Sequence, residues 1–124
     1  MNDEKARFKS LKNSLPYTIG LILTFIISFY IRTGSKASVI SEKFVRFGGN
    51  DPWYHMRVVD VILSNYPHTM WFESFTRFPT GQNMVFAPLF DWMLASLIYI
   101  LTLGNPTPHQ IEVIGAYFPA LLGA

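Results

Sequence analysis

Long hydrophobic blocks separated by polar segments dominate this chain and predict membrane-spanning helices. An uncharged run rich in Leu, Ile and Phe extends from Asn13 to Ile31. At about 1.5 Å per helical residue it spans about 28 Å, close to the roughly 30 Å hydrocarbon core of a bilayer. We therefore predict a transmembrane helix at 13–32. A cleaved signal peptide is the alternative, but its apolar region is usually only about 7–15 residues long and ends in small residues.

The charges on either side of this helix predict its orientation. Segment 1–12 is rich in Lys, and cytoplasmic loops of membrane proteins are enriched in Lys and Arg. Basic residues also follow the helix, but a long loop can be translocated despite its charges. We predict a multi-pass protein of the cell membrane, with a basic cytoplasmic tail at 1–12 and an extracytoplasmic loop at 33–86.

The loop contains a pattern typical of an amphipathic helix. Asp51-Pro52 is a helix start, with Asp51 as N-cap and Pro52 at the first helical position. Apolar residues then recur at helical spacing, and Asn65-Tyr66-Pro67 ends the pattern. We predict an amphipathic helix at 52–65 that lies at the membrane surface, with one face formed by Met56, Val59, Ile62 and Leu63. Further on, Phe78-Pro79-Thr80-Gly81-Gln82-Asn83 predicts a turn.

Two further apolar segments follow the loop. We predict a second transmembrane helix at 87–103, a connector at 104–109, and the start of a third transmembrane helix at 110–124. The third segment stops before it is long enough to cross a bilayer. We therefore expect an N-terminal piece of a larger, all-α polytopic membrane protein.

The composition agrees with a membrane protein. Half of the 124 residues are hydrophobic and 15% are charged, whereas soluble domains carry about 25% charged residues. The chain has no cysteine, which excludes disulfides, thiolate metal sites and cysteine nucleophiles. The net charge of +2 is small and its basic residues are scattered, so we expect no nucleic-acid partner.

Asp51 is the first candidate for chemistry. As an N-cap its carboxylate would accept hydrogen bonds from first-turn amides, a contribution of about 1 kcal/mol. The same carboxylate could bind Mg²⁺ or Mn²⁺, which prefer oxygen ligands and need several of them. The chain has no closely spaced pair of acids of the Asp-x-Asp or Asp-x-Glu kind. We therefore expect any metal site here to be incomplete.

Other polar residues of the chain have structural as well as functional interpretations. His55 lies one helical turn after Asp51, so it could share a ligand with it or be a surface histidine at the membrane interface. Arg57 could bind a phosphate or pair with Asp60. Asp91 could be an acid favoured by the dipole of its helix or an ionisable residue with a function in the membrane. Trp53 and Tyr54 are predicted to be interfacial anchors, and three residues are predicted to be solvated: His68, His109 and Glu112.

With these residues in place, the chain resembles the N-terminal region of the catalytic subunit of oligosaccharyltransferase. The resemblance is to the archaeal form, a dolichyl-phosphooligosaccharide–protein glycotransferase. It rests on four features in order: Asp51-Pro52-Trp53-Tyr54-His55-Met56-Arg57 after a basic tail and one span, Phe78-Pro79-x-Gly81, Pro88-Leu89-Phe90, and Pro119-Ala120-Leu121-Leu122-Gly123-Ala124.

The resemblance implies a glycosyltransferase of the GT-C type. Such an enzyme transfers an oligosaccharide from a dolichol-linked phosphate or pyrophosphate to Asn in an Asn-x-Ser/Thr sequon. Its implied partners are membrane lipid, the dolichol-linked donor and an acceptor polypeptide. The residue matching Asp51 is expected to bind a divalent metal, Mn²⁺ or Mg²⁺, and the acceptor amide. His55, Arg57 and Asp91 are weaker candidates for substrate binding.

The family's second acidic motif and its sequon-binding Trp-Trp-Asp-x-Gly motif do not occur in this sequence. We therefore expect these residues alone to be inactive. Two alternatives stay open: another lipid-phosphate-dependent glycosyltransferase, such as a protein mannosyltransferase, and a non-catalytic membrane subunit or gene remnant.

Overall fold

The computed structural model describes the backbone at 2–84 and 87–124, with side chains from Ser14 onwards. The described chain is mostly helical, as predicted, and divides into two compact units. One unit contains the first helix through Ser35 together with Pro119–Ala124, and the other runs from Lys36 to Phe118. The elements are α1 (Asn2–Arg32), α2 (Lys36–Val39), α3 (Asp51–Ser64), β1 (Phe72–Glu73), β2 (Gln82–Asn83), α4 (Leu89–Leu101) and α5 (Pro108–Leu122).

The N-terminal apolar run forms a helix that fits the predicted membrane span. Within the described residues, Ser14–Val39 is the one segment long and apolar enough to cross a bilayer, and none of its most apolar window is buried by the rest of the protein. Thr18, Thr24 and Thr33 each donate their hydroxyl hydrogen to the backbone carbonyl four residues earlier. α1 begins at Asn2, so the backbone of the predicted basic tail is also helical.

Helix α3 packs against α4 through its apolar face. Met56, Val59 and Ile62 are buried as predicted, and Val58 is buried with them. Leu94, Ala95 and Ile98 of α4 and Ile111 and Phe118 of α5 complete the cluster. The apolar face of α3 is therefore covered by α4 and α5. The position of this helix at the membrane surface stays a prediction.

The start of α3 differs from the prediction by one residue. The N-cap is Asn50, not Asp51, and its side chain makes no capping hydrogen bond. The first helical bond runs from the Tyr54 amide to the Asn50 carbonyl at 3.1 Å. Asp51 therefore lies inside the first turn, with its carboxylate outside the capping position. The helix ends at Ser64, one residue before the predicted end.

The first part of the predicted turn, at 78–81, is the tip of a short antiparallel hairpin that the sequence did not predict, whereas Gln82 and Asn83 form β2. Phe72 pairs with Asn83 and Glu73 pairs with Gln82. The amides of Thr80 and Gly81 both donate to the Arg77 carbonyl, so the turn begins one residue earlier than predicted. Gly81 has a φ of 69°, a left-handed conformation that suits glycine.

The second and third apolar segments form shorter helices than a membrane span requires. α4 has 13 residues, which corresponds to about 20 Å of helix. Residues 85 and 86, at the predicted boundary between loop and second span, lie outside the described residues. α5 starts at Pro108, two positions before the predicted third segment. Multiple spans therefore stay a prediction.

Candidate functional site

The candidate site lies in the unit from Lys36 to Phe118, on the first two turns of α3. Asp51 is exposed in the first turn. An acid at this end of a helix is favoured by the backbone dipole, which by itself is a structural reason for its presence. His55 lies four residues later, so the two Cβ atoms are about 6 Å apart on one face of the helix.

His55 is paired with an acid from the neighbouring helix. Its Nδ1 lies 2.7 Å from Oδ1 of Asp91. The Asp91 side chain is fully buried, whereas the His55 side chain is 34% exposed. The other Asp91 oxygen, Oδ2, is buried and has no hydrogen-bond partner among the described residues. The structure thus brings together two residues that the sequence singled out separately.

Aromatic rings on two sides fix the His55 imidazole. Phe90 contacts it from α4, with ring centroids 5.2 Å apart and planes inclined at 64°. Tyr54 contacts it from α3 at 5.8 Å and 75°. Because Asp91 and these two rings all restrain the imidazole, its direction is set before any ligand arrives.

Arg57 pairs with Glu73 of β1 and not with Asp60, so the predicted ion pair within the helix is wrong. The Arg57 Nη2 lies 3.1 Å from Oε1 of Glu73, and its guanidinium carbon lies 3.9 Å from the centre of the Phe75 ring. The same carboxylate oxygen accepts a hydrogen bond from the Phe75 amide at 2.9 Å. The ion pair with Glu73, which lies in another element, therefore takes the place of the predicted pair with Asp60.

Tyr54 lies between the two acid pairs. Partial burial raises the pKa of Tyr54, and the carboxylates of Glu73 and Asp91 raise it further, while Arg57 lowers it. Around the axis of α3, the Tyr54 side chain lies between those of His55 and Arg57. Trp53, the other predicted anchor, is 53% exposed and contacts Phe47 edge-on.

The three residues predicted to be solvated have different environments. His68 is exposed, as predicted. Glu112 is half-buried and accepts a hydrogen bond from the Val45 amide at 3.2 Å, which joins α5 to the segment before α3. The Nδ1 of His109 is buried. The prediction is therefore wrong for Glu112 and His109.

The sequence of the chain is similar to those of several archaeal glycotransferases. The chain is 33% identical, over its whole length, to the dolichyl-monophosphooligosaccharide–protein glycotransferase AglB of Haloferax volcanii. It is 31% and 30% identical to the dolichyl-phosphooligosaccharide–protein glycotransferases 3 and 2 of Archaeoglobus fulgidus, in each case over 83% of the chain. The chain matches a fragment of an archaeal oligosaccharyltransferase. The resemblance found in the sequence is thereby confirmed.

The match covers a small part of each relative. It spans 12% of the Haloferax protein and 12% and 16% of the two Archaeoglobus proteins. No protein-family model matches the chain, and no solved structure matches it significantly.

The donor atoms of the candidate site fit a divalent cation only in part. No group of three His, Cys, Asp or Glu side chains able to hold a metal occurs in the part of the chain that the structure describes. Asp51 offers an exposed carboxylate and His55 an imidazole whose Nδ1 is held by a buried acid. These two donors suit a cation whose other ligands come from elsewhere.

Glu73 is a residue of this region that sequence reasoning missed. It is 1% exposed, and its Oε2 is buried with no hydrogen-bond partner among the residues described. The sequence feature that could have identified Glu73 is its position as a single acid in the aromatic segment Trp71-Phe72-Glu73-Ser74-Phe75. Its partner Arg57 lies in another element, and no local pattern connects the two.

Proposed function

We propose that this chain is part of a membrane oligosaccharyltransferase that carries out protein N-glycosylation. The enzyme would transfer a glycan from a dolichol-linked phosphate or pyrophosphate to the side-chain nitrogen of Asn in an Asn-x-Ser/Thr sequon. The similarity to AglB over the whole chain carries this proposal. The names of these relatives specify a dolichyl-linked oligosaccharide donor and a protein acceptor.

Asp51 is the residue we propose for the reaction centre. An amide nitrogen is a poor nucleophile, and a carboxylate that accepts hydrogen bonds from its N–H groups orients it for attack. The exposure of Asp51 in the first turn of α3 supports this role, because the carboxylate is accessible to a ligand. His55, which is one turn further along and partly exposed beside Asp91, and Arg57, which is partly exposed beside Glu73, are proposed to bind other polar groups of the substrates.

A divalent cation, Mn²⁺ or Mg²⁺, would be held by Asp51 together with ligands from the rest of the intact enzyme. When bound, such a cation neutralises negative charge on the departing phosphate. We propose a GT-C type, multi-pass architecture for the intact protein, with its N-terminus in the cytoplasm and the Asp51 loop outside. The apolar, unburied segment Ser14–Val39 supports membrane insertion at the start of this architecture.

Replacement of Asp51 in the intact enzyme tests this proposal. Asp51→Asn keeps the shape of the side chain but removes its charge, and we expect transfer to a sequon peptide to fall by roughly 100-fold. The assay contains Mn²⁺ and a lipid-linked oligosaccharide donor. Glu42→Gln, at another exposed acid of the same unit, is the matched control and should leave transfer unchanged. Normal transfer by Asp51→Asn would refute the proposed role.

A further inference from the structure

The hairpin formed by β1 and β2 exposes several large aromatic side chains. Trp71 is 85% exposed and Phe78 is 81% exposed, and Phe72 and Phe75 are each more than half exposed. Phenylalanine and tryptophan are normally among the more buried residues of a protein. Such a concentration of exposed apolar surface is typical of a site that contacts another protein, a ligand or a membrane.

The buried side of the hairpin imposes this exposure. Glu73 is 1% exposed and is paired with Arg57 of α3. Its Oε1 also accepts a hydrogen bond from the Phe75 amide at 2.9 Å, which fixes the backbone after β1. Successive side chains of a strand point to opposite faces, so the burial of Glu73 leaves Phe72 on the outer face. The aromatic surface therefore belongs to the folded hairpin.

The charges of the hairpin suit a lipid headgroup. Between Trp71 and Asn83 the sequence has two charged residues, Glu73 and Arg77. Glu73 is buried and paired, whereas Arg77 is exposed at the turn. The exposed surface of this segment therefore contains a positive charge and no negative charge. A basic residue at a membrane surface is attracted to anionic headgroups, and a tryptophan ring settles at headgroup depth.

Polar groups at the tip are bonded within the hairpin, which lowers the cost of leaving water. The Thr76 hydroxyl donates to the Glu73 carbonyl at 3.4 Å, and the Thr80 hydroxyl donates to the Arg77 carbonyl at 3.0 Å. The amides of Thr80 and Gly81 donate to the Arg77 carbonyl as well. A hydroxyl or amide without a partner is costly where water is scarce. These internal bonds suit the tip to the membrane interface.

A bilayer is the apolar phase that accompanies this chain. The apolar segment Ser14–Val39 is long enough to cross a membrane, and none of its most apolar window is buried. The unit that contains the hairpin begins at Lys36, within this segment. The chain itself therefore tethers the hairpin to a membrane, whether or not another protein is present.

We propose that the hairpin at 71–83 is a membrane-interface anchor, whose exposed aromatic side chains enter the headgroup region of the bilayer while Arg77 binds anionic lipid headgroups. This lipid contact is independent of the donor, the acceptor and the cation of the proposed reaction. Because the ion pair between Arg57 and Glu73 joins the hairpin to α3, the anchor also restrains the helix that contains Asp51.

Fluorescent labels test the lipid contact in the intact protein. Phe78→Cys and Trp71→Cys each receive a nitrobenzoxadiazole label, in a background without other cysteines; this chain has none. The protein is placed in nanodiscs of equal parts phosphatidylcholine and phosphatidylglycerol. We expect nitroxide-bearing lipid to quench both labels several-fold more than a label at Glu42→Cys, an exposed position of the same unit. Aqueous iodide should quench them less than it quenches the control.

The contribution of Arg77 is measured in the same system. Quenching of the Phe78→Cys label by nitroxide lipid should be stronger with phosphatidylglycerol present than in phosphatidylcholine alone. Arg77→Gln should remove this difference, whereas Arg46→Gln, at another exposed basic residue, should preserve it. A difference that persists in Arg77→Gln contradicts the role of Arg77 in headgroup binding.

The two quenchers distinguish lipid from the other possible surroundings. Labels quenched by iodide and not by nitroxide lipid are in water, and labels protected from both quenchers are covered by protein; either result overturns the anchor. If Phe78→Cys does not fold, the label at Trp71→Cys decides. Transfer by Asp51→Asn bears on the proposed function alone, because the quenching measurements contain neither donor nor peptide.

Discussion

The two buried acids beside α3 are paired in different ways. Glu73 is held by Arg57, which is charged at all physiological pH values, and by the Phe75 amide. Asp91 is held by His55, a residue whose charge depends on pH, through a single contact. The first pair joins a hairpin to a helix, and one carboxylate oxygen makes two contacts. The second pair fixes the direction of a partly exposed imidazole. One pair thus joins two elements of the fold, and the other fixes the direction of a side chain.

The largest effect is expected when the structural pair is broken. Arg57→Ala leaves the Glu73 carboxylate buried without its cation, which should lower the free energy of unfolding by about 2–3 kcal/mol. Denaturant titration of the purified chain in detergent measures this change. The double variant Arg57→Ala/Glu73→Gln removes the uncompensated charge and should recover more than half of the loss. Arg46→Ala, at an exposed basic residue, is the control.

If Arg57→Ala and Arg46→Ala destabilise the chain equally, the pair with Glu73 contributes little, and the contrast between the two acids disappears.

The hairpin that carries Glu73 can be weakened independently. A Cβ atom at Gly81 would lie 2.5 Å from the Phe72 ring and 3.0 Å from the Glu73 carbonyl oxygen, and the residue has a positive φ. Gly81→Ala should therefore cost about 2 kcal/mol of unfolding free energy and accelerate amide hydrogen exchange in 72–83. Gly48→Ala meets no atom within 4 Å and should change stability by less than about 0.5 kcal/mol. Unchanged exchange in Gly81→Ala would mean that the hairpin does not depend on this close contact.

The smallest effect is expected at Asp60, an exposed acid on the same helix. Partial burial, followed by the nearby Glu112 carboxylate, raises the pKa of Asp60. The folded chain therefore holds this proton to higher pH than the unfolded chain, and stability falls as pH rises from about 4 through the raised value. Asp60→Asn should remove that dependence and stabilise the chain by up to about 0.5 kcal/mol at pH 7, with no gain at pH 3.

Unfolding free energies of both proteins across this pH range test the Asp60 prediction. An equal gain at pH 3 and pH 7 would show that the carboxylate charge is not the cause.

The parts of the fold that were predictable depend on local patterns. The apolar length of α1, the buried face of α3 at Met56, Val59 and Ile62, and the turn before Gly81 each follow from residues close together in sequence. The cap at Asn50 was missed because Asn and Asp both suit an N-cap, and backbone geometry decides between them.

The missed contacts are those between distant residues. His55 and Asp91 are separated by 36 positions, and each has a satisfactory local interpretation by itself. Arg57 has a nearby acid, Asp60, at helical spacing, which favours the wrong pairing. Only the packing of α3 against α4 and the hairpin determines which acid pairs with His55 and which pairs with Arg57. Asp51, in contrast, was found as a candidate from the residues next to it in the sequence.

Three threonines in and next to α1 affect whether this helix can be surrounded by hydrocarbon. Thr18 and Thr24 of α1, and Thr33 directly after it, donate hydrogen bonds from their hydroxyls to backbone carbonyls of α1. A hydroxyl that enters hydrocarbon without a partner is costly, but one that is bonded internally needs no water. With the hydroxyl bonded in this way, the methyl group of each side chain contributes to the apolar surface of the helix. Although these three residues are polar in the sequence, their hydroxyls need no hydrogen-bond partner from outside the chain.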